Sequence, residues 1–99
     1  MSKFVVVPVV NLNGTHVDDL IEQTQMAAFA IRTAINALQL AAPHGRDYQT
    51  LESAEGTYCA AREQHVGWVN QLEDIYQALE ERGHRIWAQK EERELRKAK

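Results

Sequence analysis

The chain has 99 residues, which suits one small domain. Hydrophobic residues make up 44% and the formal net charge is −3. The first excludes disorder as a default, and the second argues against broad binding to DNA or anionic membranes. A single cysteine, Cys59, excludes an intrachain disulfide and suits a reducing compartment. No signal peptide and no bilayer-length apolar run is evident, so a cytosolic protein without a membrane role is expected. Charge is uneven along the chain: Lys90, Arg93, Arg96, Lys97 and Lys99 make a mildly basic tail on an acidic body.

Residues 3–10, Lys3 to Val10, read as one apolar, β-branched strand. Pro8 cannot donate to a ladder, which places the strand at an edge. No later segment reads as a second strand, so its partner is expected to be another copy of the chain. Asn11 to Thr15 is turn chemistry: Asn13-Gly14 tolerates positive φ and Thr15 is a good N-cap. Asp18 stands where it completes a capping box, and Asp18 and Asp19 complement the helix dipole.

The spacing predicts a first helix over 16–42. Val17, Leu20, Ile21, Thr24, Ala27, Ala28, Ile31, Ala34, Ile35, Leu38 and Ala41 lie on one apolar stripe. Met26, Phe29, Ala30, Ala37 and Leu40 form a second. Between Leu20 and Ala42 the only charges are Glu22 and Arg32. A helix so apolar on two sides is expected to be buried on both. Pro43 and Gly45 stop it, and a loop is predicted over 43–52. A second helix is predicted over 53–89, with a seam that includes Tyr58, Arg62, Val66, Val69, Leu72, Ile75, Tyr76, Leu79, Ile86 and Trp87. Gly56, Gly67 and Gly83 mark close approaches or bends. Residues 90–99 read as a charged, frayed tail.

The expected fold class is therefore mainly α: a short N-terminal β-strand followed by an antiparallel helical hairpin in a single domain. It is expected to assemble as an oligomeric helical bundle with intersubunit strand pairing, a homodimer being the simplest form. The run Val7 to Thr15, taken with Ala41 to Tyr48, resembles a group of short uncharacterised bacteriophage and prophage proteins. The resemblance covers most of the chain, and its NLNGT turn and APHGRDY loop are specific as a pair. It implies a phage origin and residence in the host cytoplasm, and carries no activity with it.

Two segments carry chemistry. In the turn, Asn11, Asn13, Gly14 and Thr15 offer backbone and side-chain hydrogen bonds at a helix N-terminus, the setting of a phosphate or carboxylate site. Its structural reading is capping by Thr15 and Asp18. In the loop, His44, Arg46 and Tyr48 combine a guanidinium with rings that stack on a base. Its structural reading is a helix connection in which Arg46 pairs with Asp47. The two motifs lie at opposite ends of a helix about 40 Å long. They meet only between chains of an antiparallel oligomer. Arg82, Arg85 and Trp87, at the far end of the second helix, neighbour the turn and are secondary candidates.

Glu81 and His84 have the Glu-x-x-His spacing of di-metal bundles, with Glu22 alongside. Gly83 interrupts the motif and the surrounding charges read as solvated. No metal, cofactor or catalytic set is assigned. Cys59 beside Arg62 is read as small core filler rather than a nucleophile, and Trp68 as a core or interface anchor. The expected function is capture without turnover of a small anionic host ligand, such as a cyclic nucleotide immune signal. The alternative is a protein–protein interaction or structural module.

Overall fold

The computed structural model describes residues 5–10, 16–48 and 54–98. Helix α1 spans Val17–Leu40, a one-turn 3-10 helix spans Gly45–Tyr48, and helix α2 spans Ala54–Ala98. The helices are antiparallel, with Asp18 opposite Lys90, Arg32 opposite Glu73 and Thr24 opposite Gly83. Helix α2 is 45 residues against 24 for α1, so it overhangs its partner at both ends. The molecule is a rod of 72 × 22 × 20 Å with a radius of gyration of 20.2 Å. A compact chain of this length would have about 13 Å.

Local chemistry explains the helix ends. His16 caps α1, its Nδ1 accepting from the Asp18 N–H at 3.1 Å. Thr15, the expected cap, lies outside the described residues. Asp18, expected to close a capping box on Thr15, has its described contact elsewhere. Its carboxylate pairs with Lys90 at 2.8 Å and ties the start of α1 to the end of α2. At the other end the Ala41 N–H bonds the Leu38 carbonyl at 3.0 Å, and Pro43 prevents a further turn. Gly45 does not adopt positive φ; it opens the 3-10 turn instead.

Helix α2 continues past the expected end near residue 89 through Ala98. Local pairs at helical spacing account for this: Trp87 Nε1 donates to Glu91, Lys90 lies over the Trp87 ring and Arg96 pairs with Glu92. The helix also runs unbroken through its glycines. Only Gly83 meets the partner helix, where a Cβ would lie 3.5 Å from Thr24 Cγ2; Gly56 and Gly67 face open space.

The expected N-terminal strand is corrected. Among the described residues 5–10 no strand forms; the segment runs beside α2. The side chain of Gln89 does what a neighbouring strand would do: Nε2 donates to the Pro8 carbonyl and Oε1 accepts from the Val10 N–H, both at 2.9 Å. Arg85 adds a bond to the Val5 carbonyl at 3.4 Å. Backbone groups that seemed to demand a second chain thus find side-chain partners within the same one, and intersubunit strand pairing is not supported. Residues 3–4 lie outside the described residues.

The core is thin. Among the described residues the buried apolar side chains are Ile21, Ile35 and Ile86, the last two fully so. Thr24 is buried with its hydroxyl bonded to the Leu20 carbonyl. His65 is buried too, edge-on to Trp68, and its Nε2 has no partner among the described residues. Arg32 is held on two sides: its guanidinium bonds both Glu73 oxygens and lies 4.2 Å over the Tyr76 ring. Glu73 first, then Tyr76, holds the Arg32 proton more tightly than usual.

Candidate functional site

The most extensive candidate site is the uncovered side of the hairpin. Met26 is 64% exposed, Phe29 74% and Leu40 88%. Ala30, Thr33, Ala34, Asn36 and Ala37 complete this outer face of α1, all exposed. The expected second stripe therefore exists, and no part of the described chain covers it. Val6, Val9, Val66, Trp68, Ile75 and Trp87 are also substantially exposed. Several residues expected in the α2 seam therefore lie at its edges.

Beside Phe29, a groove of about 570 Å³ opens between the helices. Its α1 wall includes Thr24, Ala28 and Phe29, and its α2 wall includes Tyr76, Gly83 and Trp87. Small residues, Thr24, Ala28 and Gly83, are part of its lining. Arg32, Glu80 and His84 stand along it. The volume suits a small ligand or a few side chains. Sequence reasoning did not anticipate this groove; the small residues Thr24, Ala28 and Gly83 were its available signal.

The loop end holds part of the expected ligand site. His44 and Arg46 are exposed and Tyr48 half-buried in the 3-10 turn. Tyr48 packs on Tyr58, ring centroids 5.9 Å apart, and Arg62 lies 5.7 Å over the same Tyr58 ring. A Cβ at Gly45 would lie 3.8 Å from the Tyr58 ring, an ordinary contact, so this fit does not depend on glycine. The structure thus adds Tyr58 and Arg62 to the loop. Both had been assigned to the helix seam.

The turn residues Asn11, Asn13, Gly14 and Thr15 lie outside the described residues. The secondary candidates have structural engagements: Arg85 holds the N-terminal segment and Trp87 is bonded to Glu91 and faces the groove. Arg82 is half-buried, with Nε unpartnered among the described residues. Among the described residues no group of three or more His, Cys, Asp or Glu side chains gathers to hold a metal ion. The Glu81–His84 spacing, with Glu22, therefore does not become a cluster. Cys59 is exposed, not core filler, and stands beside Arg62, Glu63 and Val66.

No described helix is long and apolar enough to cross a membrane. No protein-family model matches the chain, and comparison with characterised proteins and with solved structures finds no similar protein.

Proposed function

We propose that this chain is a non-enzymatic protein-interaction module whose working surface is the outer face of α1. The observation that carries this reading is the mismatch between apolar content and cover. Among the described residues two helices bury three isoleucines, while Met26, Phe29 and Leu40 face solvent on one side of one helix. Contiguous apolar surface of this kind marks a protein contact. A photo-crosslinking phenylalanine analogue placed at Phe29 in the bacterial cell tests it. A covalent protein adduct is expected from position 29 and not from the exposed Glu63. Equal labelling at both sites, or none, overturns the reading.

A second reading is favoured by the Tyr48–Tyr58–Arg62 cluster. Two tyrosine rings and the cations Arg46 and Arg62 at one end of the hairpin fit an aromatic base with a phosphate. On this reading the protein is a small phage-encoded sponge for an anionic host signal, acting in the host cytoplasm against host defence. Thermal melting with a panel of linear and cyclic nucleotides tests it. A midpoint rise that Arg46→Ala and Arg62→Ala abolish supports it, and no rise with any nucleotide overturns it.

A further inference from the structure

We infer that the groove between the helices is a binding site for a small organic cation, a quaternary or protonated amine on an apolar body. Its volume of about 570 Å³ is that of a small-molecule site, and its lining selects the charge of the ligand. The strong donors are already committed. The Arg32 guanidinium bonds both Glu73 oxygens, the Thr24 hydroxyl bonds the Leu20 carbonyl and the Trp87 indole N–H bonds Glu91. Gln25, Tyr76 and His84 serve equally as donor or acceptor. Glu80 differs. Its carboxylate lines the groove and has no hydrogen-bond or ion-pair partner among the described residues. Arg32, the one lysine or arginine of the lining among the described residues, is offset by Glu73. The uncompensated charge of the groove is therefore one carboxylate. An anion finds no committed cation to receive it, and a neutral ligand leaves Glu80 without a partner.

The aromatic rings point the same way. Phe29, Tyr76 and Trp87 line the groove, and the faces of such rings attract cations. Two of them already hold one from this chain. Arg32 lies 4.2 Å over the Tyr76 ring, and the Lys90 ammonium lies 4.9 Å from the centre of Trp87. Each of these cations has its own carboxylate, Glu73 or Asp18, so neither leaves a net charge to repel a ligand. Tyr76, Glu80, Gly83 and Trp87 follow one another at intervals of four, three and four residues, which puts them on one face of α2. Glu80 thus stands between two aromatic residues, and Gly83 adds no side chain beside it. An ammonium seated there meets Glu80, while its apolar body lies against Phe29 and Ala28.

Three probes that share a benzyl group and differ in charge test this: benzyltrimethylammonium, benzyl alcohol and phenylmethanesulfonate. NMR titration of the intact protein reads the Gly83 amide and the Trp87 indole. The amide of Gly56, which faces open space near the other end of α2, is the reference. The cation is expected to move the groove signals and not Gly56, and to bind at least about tenfold more tightly than either other probe. Glu80→Gln, at an exposed position that leaves the hairpin folded, is expected to weaken the cation about fivefold and to leave benzyl alcohol unchanged. Equal binding of the three probes, no binding of the cation, or shifts at Gly56 as large as those at Gly83 overturns the inference. So does cation affinity in Glu80→Gln within about twofold of the parent.

Discussion

Replacing Gln89 by methionine tests how the N-terminal segment is held. The substitution keeps side-chain length and helix propensity but removes both bonds to the segment. The Pro8 carbonyl and Val10 N–H each lose a partner at 2.9 Å. Net values near 1 kcal/mol per bond give about 2 kcal/mol for the pair. That is a roughly 30-fold larger opening constant for the segment. Amide exchange resolved by NMR is the assay. In Gln89→Met the Val10 amide should exchange about 30-fold faster, while amides around Ile35, deep in the hairpin, should be unchanged. A change at Val10 below about threefold would refute the view that one glutamine stands in for a neighbouring strand.

Other expectations concern the hairpin itself. Ile35→Ala and Ile86→Ala each empty a fully buried site, and denaturant titration should show a loss of about 2–5 kcal/mol for either. Lys90 holds the Asp18 carboxyl below its usual range by a direct hydrogen bond, and Asp18 raises the Lys90 ammonium in return. The contribution of Asp18 is present above the ordinary carboxylate range and is lost as pH falls through its lowered value. That of Lys90 is present below the ordinary ammonium range and is lost as pH rises through its raised value. Carboxyl NMR should show the Asp18 midpoint return upward in Lys90→Met. Gly83→Ala should stabilise by up to about 1 kcal/mol in thermal melts, because the new Cβ meets Thr24 at an ordinary 3.5 Å; destabilisation would place the helices closer than described.

The helical hairpin was legible because periodicity and breakers agree: the stripe through Ile21 and Ile35 ends at Pro43. The N-terminal segment was misread because β-branched composition reports an extended backbone and not its partner. The Gln89 amide satisfies the same groups as a strand, and nothing in Val5 to Val10 announces it. The tail was misread because apolar periodicity stops at Trp87, while Trp87, Lys90, Glu91, Glu92 and Arg96 sustain the helix by local pairing. At the loop, Arg46 and Tyr48 were visible as a short cluster. Tyr58 and Arg62 join them only through the fold of the 3-10 turn, a tertiary relation that linear spacing does not record. The second apolar stripe of α1 was legible from its lack of charge, but the burial expected of it is not met by the described residues, which leave Met26, Phe29 and Leu40 exposed.

Photo-crosslinking from position 29 tests the central claim most directly. Use of the α1 face as a protein contact predicts a covalent protein adduct from position 29 and none from the exposed Glu63. Equal labelling at both positions, or none, would contradict it.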